Sequence, residues 1–423
     1  MKLKKVLPAY IVLFSMSFIS QASSPATGHE KHLQAFLKKA AEIGKDLDNR
    51  DNTLLDKLNR SEALFEKYNE DPAAKDIIAQ FSSTLFSFAS EHQRALSIAD
   101  IGHSQEKAKK SSLDLSVFSS RPAVSAILSV AENQKVVMVN EAHHIAQHRA
   151  LTYDLLEGLW ERGFRYLALE ALSSSEANPF RGPLKNDSGY YTQEPMFAYM
   201  VFHALEIGYR LIPYDSGGAD IPTREMEAAR NLKRSIFDKD PDAKVLIHVG
   251  YSHIDETEWL ARKLNDLMGI DPLTIDQVKF SEKSAPEFEH QDYENVLSNF
   301  TSKEPLVLLD KQNQLYSSEP NKWDVTVVSP RTSYTINKPA WMIKDRKTFS
   351  LNPSLCKGKY PCLVEVFDQS YARKEDLLNF TPYDKTVIYS ELDKKVVLIR
   401  QGITLVVVTD ENRVVLSQTQ VSQ

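Results

Sequence analysis

Two stretches decide the fold: VVMVNEAHH at residues 136–144 and AKVLIHVGYSH at residues 243–253. Each contains a short, apolar, β-branched run that leads directly into residues able to carry chemistry. Such runs are typical of strands buried on both faces, as in a parallel sheet. Two further runs, at 166–170 and 210–214, lie between them, and helix-length amphipathic segments separate all four. This alternation predicts a largely parallel α/β sheet.

The chain divides into four regions around this core. The predicted regions are a secretory signal peptide at 1–22, a helical arm or cap at 23–120, an α/β domain with the catalytic site at 121–285, and a β-rich C-terminal domain at 300–423. Apolar residues recur at helical spacing in the second region, and short β-branched runs fill the last. We therefore expect an α/β fold with a mostly parallel sheet core, in which the β-rich region is a separate domain or an addition to the sheet.

The first residues have the pattern of a signal peptide. Lys2, Lys4 and Lys5 precede the apolar run Val6–Ile19, and small residues surround a cleavage position after Ala22. The run is shorter than the roughly 20 residues of a spanning helix, and an uncleaved anchor is the alternative. We expect an exported, soluble protein, periplasmic or secreted, with no transmembrane span after cleavage.

Composition and cysteine content agree with that expectation. The chain has 57 acidic and 51 basic residues, a formal charge of −6, and no long basic block, which argues against nucleic acid as a partner. Its two cysteines, Cys356 and Cys362, lie in LCKGKYPC, where a glycine and a proline favour a turn. In an oxidising compartment they are expected to form a structural disulfide that contributes roughly 2 kcal/mol.

Polar side chains stand at or just after the carboxyl ends of the four predicted strands. They are Glu141, His143, His144, Glu170, Asp215 and His253. In parallel sheets, ligands bind beyond these strand ends, so we expect the six side chains to form one site.

Carboxylates and imidazoles permit two kinds of chemistry. They can hold a divalent metal, for which Glu141, His143 and His253 are the candidate ligands. Alternatively, one imidazole removes a proton from water while the acids orient it and compensate its charge. Other templates, such as G-x-S-x-G, a Walker loop or H-E-x-x-H, do not occur in the sequence.

The two stretches, with LLEGLWERGFRYLALEAL at 155–172 between them, resemble the superfamily that joins erythromycin-esterase-like proteins, haem-binding uptake (ChaN-like) proteins and the Tiki metalloproteases. Its members share a strand ending in G-E-x-H or G-E-x-x-H, a second strand ending in Glu, and a later strand leading into G-x-x-H. Glu141 and Glu170 match the two acids, and His253 matches the final histidine. His143 fits the shorter spacing and His144 the longer.

One position departs from the family pattern, and one further segment matches it only weakly. Asn140 stands where the family has glycine, which affects the turn that brings Glu141 into the site. Arg224 and Glu225 resemble an R-[DE]-x-x-M-A-x-N helix start, and Arg224 is then a candidate for binding an anionic group.

The resemblance implies an exported hydrolase-like protein that activates water against an ester or amide of a small molecule or peptide. His143 or His144 is then the base, Glu141 and Glu170 orient it, and His253 is a ligand or stabilises an oxyanion; Asp215, Arg224 and Tyr191 are candidate substrate-binding residues. The alternative is a haem- or metal-binding uptake protein without catalysis, with Tyr190, Tyr191, His148 or His253 as axial ligands. A degenerate scaffold is the third possibility, so enzymatic activity stays open.

Overall fold

The computed structural model describes residues 26–47, 49, 52–102, 113–173, 184–216, 220–373 and 377–422. The predicted signal peptide lies outside these residues. The α-helices are α1 (Ala26–Leu47), α2 (Leu54–Lys67), α3 (Pro72–Phe88), α4 (His92–Ala99), α5 (Ala123–Ala131), α6 (Gln147–Glu161), α7 (Pro195–Ile207), α8 (Ile221–Leu232), α9 (Leu260–Met268), α10 (Tyr293–Asn299) and α11 (Ala340–Ile343). A π-helical turn, Lys233–Phe237, follows α8.

The strands form one large sheet and several small ones. They are β1 (Ser119–Pro122), β2 (Val136–Glu141), β3 (Phe164–Leu169), β4 (Arg210–Pro213), β5 (Lys244–Gly250), β6 (Leu273–Phe280), β7 (Leu306–Leu309), β8 (Val325–Val328), β9 (Tyr334–Thr335), β10 (Lys338–Pro339), β11 (Lys347–Ser350), β12 (Cys362–Asp368), β13 (Asp384–Ile388), β14 (Val396–Ile399), β15 (Ile403–Thr409) and β16 (Val415–Ser422).

An eight-stranded sheet is the centre of the molecule. Its order is β1-β7-β8-β6-β2-β5-β3-β4. Strand β7 pairs antiparallel with both of its neighbours, and the other pairs are parallel. The prediction of an α/β fold with a mostly parallel sheet is therefore confirmed.

Alternate residues of β2 belong to two separate apolar cores, one on each face of the sheet. Val137 and Val139 pack in the cluster that includes buried residues of α5, α6 and α7, whereas Val136 and Met138 pack in the cluster of α8 and α9. Successive strand side chains point to opposite faces, so a strand covered by helices on both sides must be apolar throughout. This explains the uninterrupted apolar run that identified the strand.

The C-terminal region both extends the central sheet and builds small antiparallel sheets. Strands β7 and β8 belong to the central sheet, whereas a four-stranded antiparallel sheet has the order β13-β12-β15-β16. Strand β14 pairs with β11 instead of its sequence neighbours. The disulfide predicted between Cys356 and Cys362 is confirmed.

The N-terminal helices pack against this C-terminal region. The apolar cluster of α1–α4 includes Leu363 of β12 and Val387 of β13, and the half-buried Tyr190 and Tyr191 pack against it. Among the described residues, no helix is both long and apolar enough to cross a membrane.

Candidate active site

The sheet register brings the predicted polar residues to one edge. Strand β5 lies between β2 and β3, and Glu141 at the end of β2 is paired with Gly250 at the end of β5. On its other side, β5 pairs Leu169 with His248, so Glu170 follows directly. The carboxyl ends of these parallel strands therefore share one edge of the sheet.

The first buried network is centred on Glu141. Arg149, in the first turn of α6, donates from Nε and Nη2 to its two oxygens at 2.7 and 2.9 Å. His143 Nδ1 lies 2.8 Å from Oε1, and His248 Nε2 lies 2.7 Å from Oε2. The other ring nitrogen of His248 lies 2.9 Å from Thr152 Oγ1. Three side chains thus hold one carboxylate in place.

Arg149 connects this network to a helix cap. Its Nη1 lies 3.1 Å from Glu194 Oε2, and both side chains are fully buried. Glu194 also accepts hydrogen bonds from the backbone N–H groups of Met196 and Phe197, so it caps α7. Burial opposes the charge of Glu141, but Arg149 and His248 outweigh that effect and hold its pKa well below its ordinary value. Glu141 is therefore an ionised carboxylate.

The second buried network is centred on Glu170 and Arg224. The Arg224 guanidinium donates to both oxygens of Asp215, at 3.0 and 2.9 Å, and to Glu170 Oε1 at 2.8 Å. Glu170 Oε2 accepts from the Gly250 N–H at 2.6 Å. Arg224 lies in α8, and its carboxylate partners follow β3 and β4. The network therefore ties a helix on one face of the sheet to two strand ends.

His253 joins the second network as a cation. Its Nδ1 lies 2.7 Å from Glu225 Oε2, and its Nε2 lies 3.5 Å from Glu170 Oε1. Burial alone would lower its pKa, but Glu225 and Glu170 raise the pKa of His253 to about 10. At neutral pH the ring is therefore protonated, and both nitrogens are donors.

The positive charges of His253 and Arg224 also act on the pKa values of the carboxylates in the second network. Burial opposes the ionised form of Glu170, yet His253 and Arg224 hold its pKa well below the ordinary value. Burial raises the pKa of Asp215, against the attraction of Arg224.

His143 lies where the two networks meet. A Cβ atom added at Gly250 would be 2.5 Å from His143 Cε1, 2.8 Å from its Nε2 and 3.0 Å from Glu170 Oε2. The ring also stacks on Tyr191 with centroids 3.7 Å apart, and the ring of Tyr251 packs against it edge-on. Because Gly250 has no side chain, the His143 ring fits beside it, with Nδ1 at Glu141 and its other edge near Glu170.

The neighbouring His144 occupies a different environment. It lines a cleft with residues of α4 and of the 332–341 segment, and its Nδ1 lies 3.4 Å from Tyr251 Oη. Of the two candidate bases, the structure places His143, and not His144, among the carboxylates. Tyr191 forms a wall behind the His143 ring.

The other proposed haem ligands are placed less favourably for that role. His148 is fully buried and its Nδ1 accepts from the Ala142 N–H at 2.9 Å. Tyr190 packs edge-on against Phe88 of α3. His148 therefore supports the loop after β2, and Tyr190 packs the segment before α7 against α3.

The arrangement does not fit a metal site made from Glu141, His143 and His253. Both oxygens of Glu141 already accept from Arg149, and His253 Nδ1 is bonded to Glu225. Within the ranges that the structure describes, no three histidine, cysteine, aspartate or glutamate side chains are grouped so that they could hold a metal ion.

Four members of the networks were not predicted as site residues: Arg149, Glu194, Glu225 and His248. His248 lies inside an apolar strand, and from sequence alone it is a core residue. Arg149 carried a signal that could have been used, because the first turn of the helix after β2 must lie at the same edge as Glu141.

Comparisons with known proteins do not identify a family. No protein-family model matches the sequence, and no curated protein matches it at a significant level. Solved structures with weak similarity include the type III effector HopBA1, at 14% identity and a TM-score of 0.29, over 42% of this chain and 95% of that chain. Another, titled bacterial protein toxins, has 10% identity and a TM-score of 0.28, over 63% and 53% respectively. At these TM-scores, the similarity carries no information about function.

Proposed function

We propose that the chain is a hydrolase that activates water with His143 against an ester or amide carbonyl. The observation that carries this proposal is the position of the His143 ring, between the ionised Glu141 and the edge of the second network. The superfamily resemblance of the strand-end motifs supports the same assignment.

His143 is the proposed general base. The ionised Glu141 carboxylate accepts a hydrogen bond from His143 Nδ1–H. This bond fixes the tautomer of the His143 ring and turns its Nε2 toward Gly250 and Glu170. An ionised carboxylate behind an imidazole orients the ring and stabilises the cation that forms when the ring takes a proton from water. Arg149 and His248 are positioning residues, since they bind the Glu141 carboxylate that orients His143.

His253 is the proposed electrophilic group. It is protonated at neutral pH, its Nδ1 is bonded to Glu225 and its Nε2 faces Glu170 Oε1 at 3.5 Å, so it acts on the substrate through its positive charge. A fixed cation can stabilise the negative charge that develops on a carbonyl oxygen in the transition state. Glu170 and Glu225 keep this cation in place.

Hydrolysis of p-nitrophenyl acetate and longer acyl esters by the mature chain tests the proposal. We expect His143→Gln to lower kcat/KM by roughly 10²–10⁴-fold, the usual contribution of a general base. The matched substitution His144→Gln should leave the rate within a few-fold of wild type. Equal losses in both variants, or no hydrolysis of any ester or amide tested, would overturn the assignment.

A further inference from the structure

A row of four aromatic side chains connects the helical arm, α1–α4, to His143. Phe88, the last residue of α3, is buried in the apolar cluster of the arm. Its ring packs edge-on against that of Tyr190, with centroids 5.3 Å apart. Tyr190 in turn packs edge-on against Tyr191 at 5.2 Å, and Tyr191 stacks on His143 at 3.7 Å. The row therefore leads from the core of the arm to the proposed base.

The stack on Tyr191 restrains the His143 ring in a direction that its hydrogen bond does not. The bond between Nδ1 and Glu141, at 2.8 Å, holds one edge of the ring, but hydrogen-bond geometry is broad enough to let the ring tilt about that bond. The planes of His143 and Tyr191 lie within 15° of parallel, so Tyr191 opposes this tilt on one face. The two contacts together set the direction in which Nε2 points.

Tyr191 belongs to a short segment that is held from outside the site. At one end, a Cβ atom added at Gly189 would be 1.8 Å from a backbone oxygen of the stretch after β3, so the two backbones are in close contact. At the other end, the buried Lys385 of β13 donates to the Gln193 carbonyl at 3.0 Å. Between these two anchors, Tyr190 packs against the cluster of the arm. The position of Tyr191 therefore depends on the arm.

We propose that Tyr190 and Phe88 are positioning residues, through which the helical arm holds Tyr191 against His143. The consequence for catalysis rests on the proposed function of His143 as the base, whereas the placement of its ring does not. A misplacement of about 1 Å can cost on the order of 10²-fold in rate, so a loosened stack lowers kcat. The arm is then a part of the active site and not only a stabilising addition.

The ring protons of His143 in residues 23–423, assigned by NMR with His143→Gln, report this placement without any substrate. Protons of a ring that is stacked on an aromatic face resonate upfield. We expect Tyr190→Leu and Phe88→Leu to move the His143 Hε1 resonance downfield, toward its position in Tyr191→Leu. Tyr190→Phe keeps the aromatic ring and should leave the resonance at its wild-type position.

Phe86→Leu is the matched control for Phe88→Leu. Phe86 lies in the same helix and the same buried cluster, but its ring packs against the Arg94 guanidinium, 4.2 Å from the ring centroid. Both substitutions should lower Tm by a similar amount, because each removes part of a buried ring from one core. Only Phe88→Leu should move the His143 resonance, and this difference separates positioning from the stability of the arm.

The kinetic readout is the division of the effect between kcat and KM for an ester that the wild type hydrolyses. We expect Tyr190→Leu to lower kcat on the order of 10-fold and to leave KM nearly unchanged, because Tyr190 acts through Tyr191 and does not bind substrate. Tyr190→Phe and Phe86→Leu should stay within roughly 2-fold of the wild-type kcat.

Three outcomes would overturn the proposal: a His143 resonance that is unmoved in Tyr190→Leu and Phe88→Leu, an equal movement in Phe86→Leu, or a moved resonance with unchanged kcat. An unmoved resonance together with an inactive His143→Gln would leave the hydrolase assignment standing without the arm. A moved resonance with no ester hydrolysed by the wild type would support the placement of the ring and remove the hydrolase assignment.

Discussion

The two buried networks use the same residue types and reach different electrostatic results. In the first, the single carboxylate of Glu141 is shared by Arg149 and two histidines. In the second, two carboxylates, Glu170 and Glu225, face the single imidazole of His253. The two carboxylates that face His253 therefore raise the pKa of that ring and keep it a cation at neutral pH.

Under the proposed function, the two networks place imidazoles with different tasks at one sheet edge. There His143, oriented by Glu141, takes a proton from water, whereas the His253 cation, held by two carboxylates, stabilises negative charge on the substrate. Environments that divide such roles between similar residues are typical of acid–base sites.

The largest expected effect is on stability, in the first network. Arg149→Met leaves Glu141 and Glu194 buried without their guanidinium, and removal of one partner from a buried ion pair costs about 3–5 kcal/mol. Urea denaturation measures the loss. The control Arg262→Met removes an exposed pair with Asp266 and should change stability by less than about 1 kcal/mol. Similar values for the two variants would contradict a structural role for Arg149.

The second network predicts an alkaline loss of stability. The folded-state pKa of His253 is about 10, against an ordinary value of 6.5, so its contribution is complete below about pH 6.5 and lost as the pH rises through about 10. Over that range, one proton corresponds to a slope of about 1.4 kcal/mol per pH unit. Denaturation of wild type and His253→Gln at several pH values should show this slope in the wild type alone. Parallel curves would contradict the charge assignment.

Gly250→Ala tests the position at which the networks meet. Gly250 has φ −78°, which alanine adopts without strain. The effect of the substitution therefore comes from the contact of the new methyl group with His143. We expect about 1–3 kcal/mol of destabilisation and, if His143 is the base, on the order of a 10²-fold loss of activity. Gly269→Ala is the control: Gly269 has φ +64° and open space around it, so stability should fall with activity retained.

The smallest expected effect is that of a substitution at Asn140. The superfamily that the strand-end motifs resemble has glycine at this position. The Asn140 amide donates to Tyr251 O at 3.0 Å and to Asp276 Oδ1 at 2.8 Å, and its oxygen accepts from the Gln277 N–H at 2.9 Å. Asn140→Gly should therefore destabilise the chain by about 1–2 kcal/mol, measured by thermal unfolding. A more stable variant would show that these bonds contribute nothing.

The strands around the site were predictable because their apolar runs are uninterrupted. Strand β6 was missed, although it pairs with β2 in the central sheet. Its polar residues Asp276 and Gln277 are typical of a loop when only the sequence is considered. The structure shows that both are buried and hydrogen-bonded to Asn140. The pairing of β14 was equally invisible, because β11 lies far away in the sequence.

The part of the site that could be predicted from the sequence is the set of residues that stand at or just after strand ends. Glu141, Glu170 and His253 were found because the carboxyl ends of neighbouring parallel strands must meet. The choice between His143 and His144 depends on the turn after β2, and the charge of His253 depends on Glu225 in another helix. Such partners are set by tertiary packing, which a single sequence does not encode locally.

The most direct test of the two networks is a ¹⁵N NMR titration of the histidine rings in residues 23–423, assigned with His143→Gln and His253→Gln. We expect His253 to stay doubly protonated from pH 5 to about 9 and to titrate near 10, and His143 Nδ1 to stay bonded to Glu141. Titration of His253 near its ordinary value of 6.5 would contradict this expectation.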